Sequence, residues 1–491
     1  MIRDTFEEII KQNDVRQNLS KLRKELKEPG AKHALLYNIG DQEQVFQQFL
    51  FHEDAKVRKN AALLMGDLAV KTDLAPLVEA YNREDKLFVK SSYLTAIKEF
   101  DYRDYVEEFK ERLEELSKVT LTEENKKHIT EEMRALSDLV VAMEGIRHHK
   151  FIGFHEPSTL VLLTNRDQIE ATEKQLINAK TKAFNAGVMA KTEDLEEVLE
   201  VRTFDDLLFV VEGMKVLPND IEECASQIVN SELLDFLTAR HKGKVPFYFR
   251  IELKTKWELS KKSAFTKKLS GAIERLSNRK LVNTTSNYEV ELRLIENKEG
   301  TFNTLVKLYT IEDKRFNYRK EVLATSIRPT NAALTVELAK PYMKEDAQVL
   351  DPFCGVGTML IERHKAVKAN TTYGIDVYGD AIEKARINTE AARQIIHYIN
   401  RDFFDFKHEY LFDEIITNMP FAIGRKTQEE IEEVYLNFFK KAPEHLKEDA
   451  TIILYSHDKD LVKRFAPRYG FKVVEEFLIS KREGTYVFVI K

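Results

Sequence analysis

The segment VLDPFCGVGTMLIE, residues 349–362, constrains the fold of this chain of 491 residues more than any other. It predicts an apolar strand that ends at Asp351, a turn that contains Gly355 and Gly357, and then a helix. Glycines let the backbone approach a ligand closely, and the amino end of a helix attracts a carboxylate. Asp376 closes the next apolar run and can accept hydrogen bonds from both hydroxyls of a ribose. These features predict a nucleoside site in an α/β domain, which a dinucleotide-binding domain would also offer.

Strand-like and helix-like segments alternate from residue 321 to residue 491, which predicts a doubly wound α/β domain. The predicted strands are AQVLDPF, TTYGIDV, IHYINRD, FDEIITNM, ATIILYS, FKVVEEFLI and GTYVFVIK. Helices are predicted between most of them: TMLIERHKAVK, DAIEKARINTEAAR, TQEEIEEVYLNFFKKAPEHL and DLVKRFAPRYG. We expect the last two strands to form a hairpin. The sheet then has seven strands, and not the six of a dinucleotide-binding fold.

The predicted fourth strand ends in Asn418-Met419-Pro420-Phe421. This segment resembles the Asn/Asp-Pro-Pro-Tyr/Phe motif of amino-group methyltransferases, with Met419 in place of the first proline. The resemblance implies that the Asn418 side-chain oxygen and the Met419 carbonyl accept hydrogen bonds from the target NH2, while Phe421 stacks on the base. It therefore implies a Rossmann-like methyltransferase domain with S-adenosylmethionine as the cofactor. The predicted catalytic residues are Asn418, Met419, Pro420 and Phe421.

The same resemblance assigns the glycine turn and the strand ends to the cofactor. Asp351 would face the sulfonium and amino group of S-adenosylmethionine, and Asp376 would hold the ribose. Asp402 would take the adenine amino group, with Phe403 against the ring, although Asp402 could instead cap a turn. The residues predicted at the cofactor from this part of the chain are Asp351, Phe353, Gly355, Gly357, Thr358, Asp376, Val377, Asp402 and Phe403.

Upstream of the glycine turn lies ATSIRPTNAALTVEL, residues 324–338. With this segment the layout resembles the THUMP-domain RNA methyltransferases, which make N2-methylguanosine in tRNA or ribosomal RNA. The resemblance implies that Arg328, Pro329 and Thr330 border the cofactor pocket, and Arg328 and Thr330 join the predicted cofactor set. Helix entry and a surface ion pair are the alternative for Arg328. The resemblance also implies a ferredoxin-like α+β module over residues 149–240 and a THUMP-like RNA-binding domain over 241–320, before the methyltransferase domain at 321–491.

The middle of the chain shows the mixed pattern of an α+β region, with strands predicted in STLVLLTN, DLLFVVEGM, VPFYFRIEL, NYEVELRLIE and TLVKLYTI. Between Arg240 and Val290 there are thirteen basic and four acidic residues, with Trp257 and Phe265 among them. Phosphates attract such a surface without regard to sequence, so it predicts RNA contact. A solvated lysine face is the alternative. The predicted RNA-binding residues are Lys254, Lys256, Lys261, Lys262, Lys267, Lys268 and Arg275.

Residues 1–148 are predicted to be helical, because apolar residues recur every three or four positions. Two segments, FLFHEDAKVRKNAALLMGDL and EAYNREDKLFVKSSYLTAIKEF, align when Val57 is placed over Val89. They resemble HEAT repeats, and Asp54 and Asp85 lie where an N-cap is expected in each. A plain helical bundle is the alternative. In either case this region is predicted to dock a protein partner.

Composition and charge exclude some classes of protein and leave others open. The formal net charge of −6 does not by itself favour a nucleic-acid partner, so the local basic excess carries that prediction. Two cysteines form neither a disulfide framework nor a zinc motif, and there is no signal-peptide core and no apolar run of about 18 residues that could span a membrane, so we expect a cytoplasmic protein without a metal. Other acceptors stay open, namely adenine N6 in DNA or RNA and a protein glutamine. A further alternative is a non-catalytic scaffold that binds S-adenosylmethionine.

Overall fold

The computed structural model describes residues 2–28, 30–40, 43–117, 119, 122, 124–144, 149–422 and 427–491. The chain divides into two compact units. One comprises Met1–His148 and Gly271–Asn287, and the other comprises His149–Ser270 and Tyr288–Lys491. The sequence predicts a domain boundary after residue 148, and the four residues before this boundary, 145–148, lie outside the described residues.

The first unit is helical over its described N-terminal residues, as the periodicity predicts. Its α-helices are α1 (Ile2–Ile10), α2 (Val15–Glu25), α3 (Ala31–Ile39), α4 (Ala55–Leu68), α5 (Leu74–Arg83), α6 (Leu87–Ile97), α7 (Val106–Ser117) and α8 (Lys126–Glu144). Helix α4 packs on α6, and the aligned residues Val57 and Val89 are both buried. Asp54 caps α4 by accepting a hydrogen bond from the Lys56 amide at 2.7 Å. The cap predicted for Asp85 is wrong, because the Lys86 amide donates to the Glu84 side chain instead.

The second unit begins with an α+β part. Its strands are β1 (Lys150–Phe151), β2 (Ser158–Thr164), β3 (Lys180–Phe184), β4 (Gly187–Thr192), β5 (Phe204–Phe209), β6 (Val216–Leu217), β7 (His241–Lys242), β8 (Phe247–Lys254), β10 (Val290–Glu296) and β11 (Phe302–Leu308), while β9 (Leu281–Asn283) belongs to the first unit. The helices are α9 (Ile169–Glu173), α10 (Leu195–Glu200), α11 (Ile221–Val229), α12 (Leu233–Arg240) and α13 (Leu259–Leu276), and α13 belongs to the first unit from Gly271 onward. The order of neighbouring strands is β3-β4-β2-β5-β11-β10-β8. Strands β3 and β4 were not predicted from the sequence. All five residues of β3 are exposed, and its lysines mask the usual apolar alternation.

The rest of the second unit is the doubly wound domain that the sequence predicts. Its elements are α14 (Pro329–Ala339), β12 (Ala347–Asp351), α15 (Thr358–Ala366), β13 (Ala369–Asp376), α16 (Gly379–Ala391), β14 (His397–Asn400), β15 (Phe412–Asn418), α17 (Gln428–Lys441), β16 (Leu446–Ser456), α18 (Lys459–Phe465), β17 (Val473–Ser480) and β18 (Thr485–Ile490). Within the described part of this domain, seven strands form one sheet in the order β14-β13-β12-β15-β16-β18-β17. Strand β18 is antiparallel to both of its neighbours, which confirms the predicted hairpin.

The sheet order reverses at β12, because the chain runs outward through β13 and β14 and then returns to the other side at β15. In doubly wound sheets, ligands bind beyond the carboxyl ends of the strands at such a reversal. Asp351, Asp376 and Asn418 are the last residues of β12, β13 and β15. The fold therefore brings these three predicted site residues to the same edge of the sheet.

A buried carboxylate links the two parts of this second unit. Glu362 on α15 is 1% exposed and accepts two hydrogen bonds of 2.7 Å from Arg202, next to β5. The Tyr318 hydroxyl donates a third hydrogen bond to it at 2.6 Å. Paired guanidinium and phenol groups offset the cost of burying this charge, so the α+β part and the seven-stranded sheet are held in one compact unit.

The longest helices in the described residues are α8 and α13. Both carry many charged side chains. No helix in the described stretches is long and apolar enough to cross a membrane.

Candidate active site

A cavity of about 670 Å³ opens at the carboxyl ends of β12, β13 and β15. Twelve of the fifteen residues predicted at the catalytic and cofactor sites line it. Gly357, Arg328 and Thr330 do not. The twelve are Asp351, Phe353, Gly355, Thr358, Asp376, Val377, Asp402, Phe403, Asn418, Met419, Pro420 and Phe421.

The two glycines of the turn have different tasks. Gly355 lines the cavity with φ of +51°, and a Cβ built on it would meet no atom within 4 Å. Its amide donates a 2.9 Å hydrogen bond to Asp376. Gly357 has φ of +79°, and a Cβ there would come within 2.2 Å of the Tyr398 hydroxyl. Gly355 therefore leaves space for a ligand, whereas Gly357 allows close packing behind the turn.

The Asp376 carboxylate is fixed by two backbone amides. One oxygen accepts from the Gly355 amide and the other from the Tyr378 amide, each at 2.9 Å. A carboxylate oxygen has two lone pairs, so each oxygen can still accept a second hydrogen bond. The geometry is compatible with the predicted role of Asp376 at a ribose.

Asp351 is the most deeply buried acid of the cavity. Its side chain is 1% exposed and accepts a 3.0 Å hydrogen bond from the Phe353 amide. Burial raises the pKa of Asp351 to about 7 despite the hydrogen bond from the Phe353 amide, and the neighbouring charge of Asp376 adds to the rise. A cation brought into the cavity would favour the ionised form.

Two further polar atoms beside the cavity are buried and have no hydrogen-bond partner among the described residues. They are the Thr358 hydroxyl, at the amino end of α15, and the Asn418 side-chain oxygen. Leaving such atoms unpaired is costly, so a ligand that bonds to them is favoured. S-adenosylmethionine fits this set, because it offers a carboxylate for the helix end and Thr358 and a cationic amino acid part for Asp351.

The aromatic wall of the cavity contains one residue more than the prediction, namely Phe404. Asp402 accepts a 2.9 Å hydrogen bond from the Phe404 amide, so it caps the following turn while it also lines the cavity. Phe403 is only 1% exposed and packs against Phe353 and Phe438 in the core. Phe404 is half-buried and also lines the cavity, so it offers more of its surface to a ring. The sequence FFDF does not show which of the two phenylalanines has more of its ring exposed to the cavity.

The side chain of Met419, which stands in place of the first proline of the motif that this segment resembles, is fully buried in the apolar core. The Met419 amide donates a 2.9 Å hydrogen bond to the Tyr455 carbonyl of β16. Phe421 follows at the cavity wall and is half-buried. Core packing and this backbone hydrogen bond hold the segment next to Asn418.

Arg328 and Thr330 do not border the cavity, contrary to the prediction. Arg328 is exposed at the start of α14, and the Thr330 hydroxyl donates a 2.8 Å hydrogen bond to Asp205 in β5. The segment just before them, residues 323–327, lines the cavity instead. Proline at the first helical position turns the chain into α14 and carries Thr330 toward the α+β part.

The predicted RNA-binding residues remain largely at the surface. Lys256, Lys261, Lys267 and Lys268 are exposed and Lys262 is half-buried, while Lys254 forms an ion pair with Glu252. Arg275 is half-buried and belongs to the first compact unit.

The aromatic residues among these lysines do not support the prediction. The Trp257 indole donates to Glu296 at 2.8 Å, and its ring packs against Phe265 and Phe302. Phe265 is itself buried. The Trp257 ring is half-buried, and the Lys261 ammonium also lies over it, so neither ring is free to stack on bases and RNA contact rests on the lysine charges alone.

Cys354 lies in the glycine turn but has no feature of a nucleophile. Burial raises the pKa of its thiol well above the usual value, and nearby Asp351 and Asp376 raise it further. No group of histidine, cysteine or carboxylate side chains in the described residues could hold a metal ion.

Comparison with known proteins places this site in a methyltransferase domain. Residues 317–483 match the RMKL-like methyltransferase domain. The tRNA (guanine(10)-N2)-dimethyltransferases of Methanothermobacter thermautotrophicus and Pyrococcus abyssi are 28% and 27% identical over 156 and 183 residues, or 30% and 35% of this chain. These matches cover 44% and 53% of the two relatives, so the chain spans about half the length of each. The ribosomal protein L11 methyltransferase of Thermotoga petrophila is 25% identical over 43% of this chain and 74% of that protein.

Solved structures support the same fold. TrmN from Thermus thermophilus aligns with a TM-score of 0.51 at 19% identity, over 68% of this chain and 99% of that one. SMU.472 in complex with SAH aligns with a TM-score of 0.53 at 16% identity, over 68% and 97%. The aligned share exceeds the sheet domain alone, so part of the α+β region has the same fold as well.

Proposed function

We propose that this chain, which carries a methyltransferase domain, is an S-adenosylmethionine-dependent enzyme that methylates the N2 amino group of guanine in tRNA or ribosomal RNA. The buried and unpaired Asn418 side-chain oxygen at the cavity carries the proposal. Asn418 is the last residue of β15, and it lies at the same edge of the sheet as Asp351 and Asp376. The Asn418 oxygen can accept a hydrogen bond from the amino group of the substrate. The buried Asp351 carboxylate can pair with the cationic cofactor in the same cavity.

When bound, S-adenosylmethionine supplies an electrophilic methyl group. Asp351, Thr358 and Asp376 would hold the cofactor through its amino acid part and its ribose. The Asn418 oxygen and the Met419 carbonyl would accept hydrogen bonds from the guanine NH2, which directs the nitrogen lone pair toward the methyl group. No strong base is needed, because the nitrogen can lose its proton after the transfer.

RNA as the substrate rests on two supports. The two archaeal relatives are named as tRNA (guanine(10)-N2)-dimethyltransferases. The exposed lysines Lys256, Lys261, Lys267 and Lys268 give the α+β part a local positive surface in a chain of net charge −6. Phosphate attraction of this kind supplies affinity without sequence specificity.

A protein acceptor is the second candidate, because the Thermotoga relative is named as a methyltransferase of ribosomal protein L11. The motif at Asn418 also suits adenine N6 and a glutamine amide. We expect the full chain to transfer label from S-adenosylmethionine to a macromolecule in an extract of cells that lack this protein. The labelled macromolecule should be degraded by ribonuclease. Label sensitive to protease or deoxyribonuclease would overturn the RNA assignment. Bound cofactor without any transfer would favour a scaffold.

The affinity for S-adenosylmethionine should depend on pH through Asp351. Because burial raises the pKa of Asp351 to about 7, the acid holds a proton at pH 6 that must leave before it can pair with the cationic cofactor. We expect binding roughly tenfold weaker at pH 6 than at pH 8, measured by calorimetry. The raised pKa also lowers the stability of the free protein as pH rises from about 4 to about 7, since the folded form keeps a proton that the unfolded form loses.

The control for this dependence is a pair of variants. Asp351→Asn should bind more weakly at pH 8 and lose most of the pH dependence. Asp449→Asn, on the exposed side chain that pairs with Lys344, should keep the wild-type profile. A wild-type affinity that does not change between pH 6 and pH 8 would contradict the assigned role of Asp351.

RNA affinity should depend on salt through the lysines of α13. Each lysine that neutralises a phosphate contributes about 0.7 to 0.9 to the slope of log affinity against log salt. We expect the double variant Lys267→Ala, Lys268→Ala to reduce the magnitude of this slope by about one to two, measured by filter binding at several salt concentrations. Lys472→Ala, an exposed lysine of the sheet domain, should leave it unchanged. An unaltered slope in the double variant would remove α13 from the RNA surface.

A further inference from the structure

The carboxyl end of β16 anchors the chain on both sides of the segment that follows Asn418. Tyr455 pairs in register with Asn418, and its carbonyl accepts the Met419 amide at 2.9 Å. Three residues later, Asp458 accepts a 3.0 Å hydrogen bond from Gln428, the first residue of α17. The end of β16 is therefore hydrogen-bonded to the chain at two points, directly after β15 and at the start of α17.

His457 lies between these two anchors and packs on Phe421. The two ring centroids are 4.3 Å apart and the planes are inclined by 34°, which is close to stacking. Phe421 lines the cavity, whereas His457 is not among the residues at its wall. The imidazole therefore supports the phenyl ring, and the ring keeps surface toward the cavity.

His457 is itself held in place. Its Nδ1 lies 3.1 Å from the hydroxyl of Thr485, which is fully buried at the start of β18. The Tyr455 ring meets it edge-on at 5.8 Å. Burial lowers the pKa of His457, against the charges of Glu483 and Asp458, so the ring is neutral at physiological pH. A neutral, doubly contacted imidazole is a rigid support for an aromatic ring.

We propose that His457 is a positioning residue for the target base, because it fixes the Phe421 ring on which that base stacks. This rests on the proposed function of the cavity. A ring that is already ordered loses little entropy when a base binds, and it places the amino group at a defined distance from Asn418. RNA affinity comes mainly from phosphate contacts, so the contribution of His457 should appear in kcat more than in KM.

The experiment compares His457→Ala with His457→Phe in the full chain, with kcat and KM for RNA from labelled transfer and the cofactor Kd from calorimetry. We expect the alanine variant to lose roughly tenfold or more in kcat, while KM for RNA and the cofactor Kd stay within about twofold. The phenylalanine variant keeps a flat ring behind Phe421 and should recover most of kcat. An intact cofactor Kd shows that both variants are folded.

Two results would overturn the inference in an enzyme whose wild type is active on RNA. One is an alanine variant with wild-type kcat. The other is an equal loss in both variants, which would mean that the ring is not what matters. A wild type that transfers nothing to RNA would instead contradict the proposed function, and the inference would fall with it.

Discussion

Asn418→Ala should abolish methyl transfer while S-adenosylmethionine still binds within a few-fold of the wild-type affinity. The Asn418 side-chain oxygen is buried beside the cavity and has no partner among the described residues, so its removal costs the free protein little. In the reaction it would accept a hydrogen bond from the target amine and align the lone pair, and the loss of such alignment costs on the order of a hundredfold or more in kcat. Single-turnover transfer and calorimetry measure the two effects separately.

The matched control for this variant is Asn370→Ala. Asn370 is exposed near the start of β13, at the opposite end of that strand from Asp376. It should keep normal transfer and normal cofactor binding. Normal turnover by Asn418→Ala would contradict the mechanism, and a large loss of cofactor affinity would move Asn418 from the amine to the cofactor.

Glu414→Ala should destabilise the second compact unit by about 3–5 kcal/mol. Glu414 in β15 is 2% exposed, and it pairs through both oxygens with the fully buried Arg363 at 2.9 and 2.8 Å. The same guanidinium also donates to the carbonyls of Val367 and Lys344. Truncating the glutamate leaves a buried cation without its counter-charge, which is the costly way to break such a pair.

Fluorescence measures this effect directly, because Trp257 is the single tryptophan and lies in the same compact unit as Glu414. Urea unfolding followed at Trp257 should show the loss for Glu414→Ala. Asp449→Ala removes an exposed partner of Lys344 and should change the unfolding midpoint very little. Equal stabilities of the two variants would contradict the energetic role assigned to the buried pair.

The site was predictable where local sequence alone determines position. Asp351, Asp376 and Asn418 each close an apolar strand, and parallel strands bring their carboxyl ends to one edge. The spacing of Gly355 and Gly357 between a strand and a helix was enough to predict the turn. For the same reason the seven-stranded sheet and its closing hairpin followed from the order of strand-like and helix-like segments.

Prediction failed where a distant partner decides the outcome. Thr330 bonds to Asp205, which is 125 positions away, so no local pattern could remove it from the cofactor pocket. Lysines surround Trp257 in the sequence, which suggested RNA contact, but its half-buried ring bonds to Glu296 and packs against Phe302. Strand β3 was missed because an exposed edge strand lacks the apolar alternation that marks buried ones.

Transfer of label from S-adenosylmethionine to RNA that lacks this modification, followed by nucleoside analysis, tests the central claim most directly. We expect the label in N2-methylguanosine, because the Asn418 segment presents acceptors to an exocyclic amine. Label in N6-methyladenosine would keep the amino-group chemistry and replace the base. Label on a ring carbon or a ribose hydroxyl, or no label in any RNA while the cofactor is bound, would contradict the proposed function.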